Sequence, residues 1–211
     1  MFTLRQCRMV RMARPRHLNK EIEAAPIGQR RTLMKTHEFV IIASGLDPRA
    51  DDFEDRFFEA GCSDATLSVQ KGAIILEFAR EAETFSAAVI SAFRDVMSAG
   101  AKVERFEPDP LVNLSDIAAR TGLSRAALSL YASGARAAHF PPPTARVTSD
   151  SPLWDWCLVS EWMYAHHKVD QEVVIRARLM KEANRIVETG NIEPNHFAQQ
   201  MRSRAVAFEG A

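Results

Sequence analysis

An α+β fold is what the sequence predicts, and three observations predict it. Between Glu38 and Asp109, apolar and β-branched runs alternate with amphipathic stretches in the order strand, helix, strand, strand, helix, strand. From Leu111 to Ser133, two short helical patterns meet at a glycine corner. From Asp170 the apolar spacing is helical for about twenty residues, up to Gly190.

The first region divides cleanly at its turn residues. EFVIIASGL is a strand closed by Gly45 and Pro48, and DDFEDRFFEAG is a short helix with Phe53, Phe57 and Ala60 on one face. Its first turn carries acids, which the helix dipole favours. ATLSVQKG and AIILEFARE form a hairpin about Lys71-Gly72. TFSAAVISAFRDVMSAG turns Phe85, Val89, Phe93 and Val96 inward and ends at Gly100; AKVERFEPD is a last strand before Pro108 and Pro110. This order resembles the ferredoxin-like split βαβ fold, a likeness of fold class that carries no function. Iron and sulfur are not implied, because there is no cysteine cluster. Residues 36–109 are therefore expected to form a ferredoxin-like acidic domain. From Thr36 to Pro110 there are seven basic and fifteen acidic residues, a net of −8. Such a surface is repelled by DNA; a protein partner, a small ligand or a second copy in a homodimer suits it better, and a solvated acidic face on a monomer stays open.

Residues 1–35 hold nine basic residues against two acidic, a net of +7, with no continuous apolar segment of the secretory type. They are expected to be a basic, disordered extension. It could be an arm on phosphate, an Arg-rich targeting presequence, or sequence upstream of a true start at Met34, where the first clean strand begins.

Residues 110–168 carry the helix-turn-helix pattern. Ser115 can cap a first helix that turns Ile117 and Ala118 inward; Gly122 permits the left-handed residue that ends it, and Leu123 plugs the corner. Ser124 caps a second helix, on which Leu128, Tyr131 and Ala132 form the inward stripe. Arg125, Ala126, Ser129, Leu130 and Ser133 are left on an outer face that is small and free of acid. A major groove admits such a face without steric or charge penalty. From Leu111 to Thr148, four arginines (Arg120, Arg125, Arg136, Arg146) stand against one acid, Asp116, in a chain that is neutral overall. A basic island in a neutral protein points to phosphate. The competing reading is a helical hairpin used only for packing.

After the second helix come FPPPTARV, a turn from Thr148 to Pro152, then LWDW and CLVSEWM, expected as strand, turn, strand and closing helix anchored by Trp154, Trp156 and Trp162. Residues 111–163 resemble the excisionase-like and AlpA-like branch of the MerR-type winged helix-turn-helix proteins. There an FPxP-type turn leads into a wing, and a tryptophan-bearing strand leads into a helix ending in a pair like Trp162-Met163. The resemblance covers about a quarter of the chain. It implies that residues after Ser124 read bases and that the wing near 144–153 touches the backbone; Asp150 departs from a uniformly basic wing. The DNA contacts expected on this basis are Ser124, Arg125, Ala126, Ser129, Leu130, Ser133, Arg136 and Arg146.

Residues 169–211 form an expected helical tail. Val173, Ala177, Met180 and Val187 share one side of its first helix, with Ile175, Leu179 and Ile186 beside them, an apolar face wider than a lone surface helix requires. It is buried either on the winged half or against a second subunit. A weaker final helix carries Phe197, Met201 and Val206.

Three scattered cysteines without CxxC suggest neither a disulfide framework nor zinc. The adjacent His166 and His167 point to different sides of a helix, so no metal or other cofactor is expected. GxSxG, P-loop and HExxH motifs are missing, which argues against an enzyme. The same cysteine pattern suits a reducing cytoplasm, and no apolar run approaches the ~20 residues of a membrane span. The functional expectation is a sequence-specific DNA-binding transcriptional regulator, homodimeric on double-stranded DNA. The alternative is an antitoxin-like module whose acidic domain binds a protein partner.

Overall fold

The structure is a computed structural model that describes residues 33–190 and 192–209, all within one compact unit. The expectation of a disordered extension over residues 1–35 lies outside them as far as residue 32; Lys35, placed in that extension, is instead the first residue of a strand. The chain is α+β, with an antiparallel four-stranded sheet and, among the described residues, seven helices.

Strands β1 (Lys35–Ser44), β2 (Ala65–Gln70), β3 (Ala73–Ala82) and β4 (Lys102–Glu107) lie in the order β2-β3-β1-β4, and α1 (Phe53–Glu59) and α2 (Phe85–Ser98) complete the first half. Alternation explains the sheet. In β1, His37, Phe39, Ile41 and Ala43 all face the core, as do Ile74, Leu76, Phe78, Arg80 and Ala82 in β3. The β2-β3 turn has both Lys71 (φ 52°) and Gly72 (φ 83°) in the left-handed region, the backbone that suits a two-residue hairpin. Helix α2 starts where the Thr84 hydroxyl accepts from Ala87 N at 3.1 Å, and lays Phe85, Val89, Phe93 and Val96 on the apolar face.

Arg80 sits among these apolar residues because its charge is matched on several sides. Its guanidinium donates twice to Asp64 at 2.8 Å, to Asp95 at 2.5 Å and to the Gly61 carbonyl at 2.8 Å. The hydrogen bonds from Arg80 hold the Asp64 carboxyl below the usual carboxylate range.

The second half is a smaller core. Strands β5 (Leu111–Val112) and β6 (Trp154–Asp155) pair antiparallel beside helices α3 (Leu114–Thr121), α4 (Arg125–Ala132) and α5 (Trp156–Ala165). Ile117, Leu128, Tyr131, Val159 and Met163 fill it with the three tryptophans. The expected strand pair of the wing shrinks to one bridge, Ala145 with Leu153. Two causes are visible. Pro141, Pro142 and Pro143 have no N–H to donate to a ladder, and Asp155 ends the second strand by accepting from Cys157 N at 2.9 Å, which starts α5 at once.

Helix α6 (Gln171–Glu188) fastens the halves together, and α7 (Pro194–Glu209) packs on the sheet core beside it. Leu179, Met180, Ala183 and Ile186 of α6 enter the sheet core, while Ala177 enters the smaller one. Asn184 lies against the outer edge of β4: its carbonyl accepts from Phe106 N at 2.7 Å and its amide donates to Phe106 O at 3.0 Å. Those two backbone groups would otherwise be a buried, unpaired sheet edge. In α7, Phe197 stacks on Phe93 with centroids 3.9 Å apart. Val206, expected in the apolar stripe, is 75% exposed. Five positions beyond Met201 it is rotated roughly 140° off the buried face, and Ala205 takes the inward place.

Candidate nucleic-acid interface

The corner between α3 and α4 is built by three local devices. Asn113, not Ser115, caps α3: its side chain accepts from Ser115 N at 2.7 Å and Asp116 N at 3.1 Å, while Asp116 accepts from Asn113 N at 2.8 Å. This reciprocal box starts the helix two residues earlier than a Ser115 cap would, and it occupies the acid nearest the corner. Gly122 then adopts φ 70° and closes the helix with Gly122 N donating to Ala118 O at 2.9 Å. Ser124 caps α4 by accepting from Ala127 N at 3.2 Å.

Leu128 and Tyr131 anchor α4 in the smaller core, and Tyr131 meets Trp162 edge-on at 5.1 Å. Ala132 does not join them: it is exposed, because it is the last residue of α4 and no element covers the helix end. Ser124, Arg125, Ala126, Ser129, Leu130 and Ser133 are all exposed, and Leu130 is the bulkiest apolar group among them at 47%. Helix α4 contains no acid.

Arg136 follows on the loop, with its guanidinium 5.3 Å from the Tyr131 ring and its N–H donating to Leu130 O at 3.1 Å. Arg146 is exposed but does not lie on a rising strand. Its φ is 50°, and it opens a turn in which Ser149 N donates to Arg146 O at 3.0 Å. The hairpin tip is thus a short loop carrying Arg146, the 61% exposed Val147, and Asp150. Its base is held by Trp154 Nε1 donating to Pro141 O at 3.0 Å. Among the described residues, Arg125, Arg136 and Arg146 form no ion pair.

Arg120 is the exception in the basic island. It turns away from this surface, with its guanidinium 5.1 Å from the Trp156 ring and Nη2 donating to Asp109 O at 2.8 Å. Counting charges along the sequence placed it with the others; only the tertiary position of Trp156 separates it. The histidine pair also differs from expectation, since α5 ends there. His166 stacks on Trp162 at 3.8 Å, and His167 has φ 55° just beyond the helix. Among the described residues, no group of three His, Cys, Asp or Glu side chains is placed to hold a metal ion, and no helix is long and apolar enough to cross a membrane. Burial pushes the Cys62 and Cys157 thiols up to about 12, so neither offers a ready thiolate.

In comparisons with known proteins, no family model, curated protein or solved structure matches this chain.

Proposed function

We propose that the protein is a sequence-specific DNA-binding transcriptional regulator in which residues 111–165 act as a winged helix-turn-helix of MerR type. Helix α4 enters the major groove and the Arg146 loop rests on the backbone. The observation that carries this reading is the outer face of α4: small, acid-free, led by Arg125 and projecting from a corner fixed by Gly122. Residues 35–107 serve as a ferredoxin-like domain, a reading supported by the strand order β2-β3-β1-β4 and the chain order of its two helices. It is assigned to self-association, because β2 is an edge strand and the 69% exposed Phe58 shares a groove with Leu67 beside it. The chain is read as a binding protein of the cytoplasm, without cofactor or catalysis.

The test is selection of fragments bound by the full chain from a random DNA pool, read for motif and symmetry. An enriched palindrome is expected. Retention without any enriched motif, or no retention at low salt, overturns the proposal. Co-purification with a small basic protein in place of DNA would favour the partner-binding alternative, for which the net charge of −8 between Thr36 and Pro110 is the supporting observation.

A further inference from the structure

Between the two cores lies a cleft of about 280 Å³. Its walls are Phe85 at the start of α2, Pro110 in the connection, Trp156 at the start of α5 and Met180 of α6. The charged groups that line it are two guanidinium groups, those of Arg120 and Arg176, and no carboxylate lines it among the described residues.

Both arginines are held in place by backbone carbonyls and aromatic rings rather than by ion pairs. Arg120 Nη2 donates to a backbone carbonyl, and its Nη1 is buried with no acceptor. Arg176 Nη2 donates to Glu38 O at 2.9 Å, while its guanidinium carbon lies 4.6 Å from the Phe85 ring centre. Neither forms an ion pair among the described residues. A cation removed from water without an ion pair is costly, and burial pushes the Arg120 pKa below its ordinary value even against the opposing pull of the Asp116 and Asp109 carboxylates. A structural arginine in this same chain, Arg80, forms ion pairs with two carboxylates; among the described residues these two form none. The missing acceptor has a definite shape. Planar guanidinium forks match a carboxylate, and the apolar walls match a flat or branched hydrocarbon body. The volume is near the lower end of small-molecule pockets, roughly 300 Å³.

We propose that this cleft binds a small organic monocarboxylate, its carboxylate between Arg120 and Arg176 and its apolar body against Trp156 and Met180. Arg120 belongs to the last turn of α3, two positions before Gly122, and so to the segment that aims α4. Occupancy therefore alters the placement of α4, a consequence that rests on the DNA-binding reading above; the binding itself does not.

The test uses the full chain and benzoate as probe, by titration calorimetry without DNA. Saturable binding with a Kd on the order of 1 mM or tighter is expected. Benzyl alcohol, which keeps the ring and lacks the charge, and inorganic phosphate, which keeps the charge and lacks the ring, should each bind about tenfold more weakly or worse. Arg120→Gln and Arg176→Gln should each weaken benzoate by about tenfold or more with unchanged circular dichroism. Should Arg120→Gln fail to fold, Arg176→Gln decides alone, since its side chain is only half-buried. Equal affinity for benzoate and benzyl alcohol overturns the proposal, as does equal affinity for benzoate and phosphate, or undiminished benzoate binding by Arg176→Gln. Adding benzoate to a DNA complex then reads the coupling: benzoate bound with DNA affinity unchanged overturns the coupling and leaves the site, whereas no DNA binding at all concerns the earlier reading only.

Discussion

Arginine is used in opposite ways in the two halves of this molecule. In the sheet half, Arg80 points into the core over the Phe78 ring and its guanidinium donates to Asp64, Asp95, Ser91 and the Gly61 carbonyl. In the helical half, Arg125, Arg136 and Arg146 stand in solvent without an acid partner among the described residues, although the whole chain has as many acids as bases. The segregation is spatial, and it teaches that net charge is a poor guide to this protein. The sheet half buries one cation among its own carboxylates and carries a net acidic charge, whereas α4 and the loops after it leave three arginines available to something outside the chain.

That contrast can be broken experimentally, beginning with the largest expected effect. Arg80→Ala removes a buried cation and leaves two carboxylates facing each other's vacancy, so urea unfolding should show a loss of about 3–5 kcal/mol. The effect has a pH signature. Asp64 is depressed in the folded state chiefly by its hydrogen bonds from Arg80, so its contribution is fully present above about pH 4 and is lost as pH falls through the lower native value. The gap between wild type and Arg80→Ala should narrow on acidification below about pH 4; a gap that widens there would refute the assignment.

Asn184→Ala comes next. It strips the partner from both Phe106 backbone groups, and thermal unfolding should register a loss of about 2–3 kcal/mol. Arg125→Ala should leave unfolding within about 0.5 kcal/mol of wild type, because its side chain is exposed and unpaired. Its effect belongs to DNA: discrimination at one base should fall by about 1–3 kcal/mol in competition binding. The smallest change is that of Arg146→Ala, which should weaken all sequences alike and reduce the salt slope of binding by about one. If Arg125→Ala destabilises the fold as Arg80→Ala does, the contrast between the halves is lost. If Arg146→Ala shifts the preferred base and Arg125→Ala does not, the roles of helix and loop are exchanged.

The sheet half was legible in the sequence because each element there is punctuated by its own residues. Lys71-Gly72 marks the hairpin, Thr84 caps α2, and a two-residue alternation marks β1 and β3. The Gly122 corner was legible for the same reason. What escaped depends on contacts distant in the chain. Arg120 looks like a surface cation until Trp156 is brought beneath it, and Arg176 looks like part of a solvated helix until Phe85 meets it. The width of the apolar face on α6 was visible, but not that it divides between β4, α5 and α7. The wing was overdrawn because tryptophan-rich LWDW has strand-like composition, whereas the Asp155 cap that ends it acts through a single hydrogen bond.

Helix α6 has a consequence for how the molecule comes apart. Its Ile186 and Leu179 belong to one core, its Ala177 to the other, and Asn184 is hydrogen-bonded to β4. Neither half can melt without uncovering part of the same eighteen-residue helix. Scanning calorimetry should therefore record one endotherm for the described region, with van't Hoff and calorimetric enthalpies in a ratio of about one. Transplanting the helix-turn-helix into another protein would fail unless α6 travelled with it and its Leu179 side were refitted with polar residues.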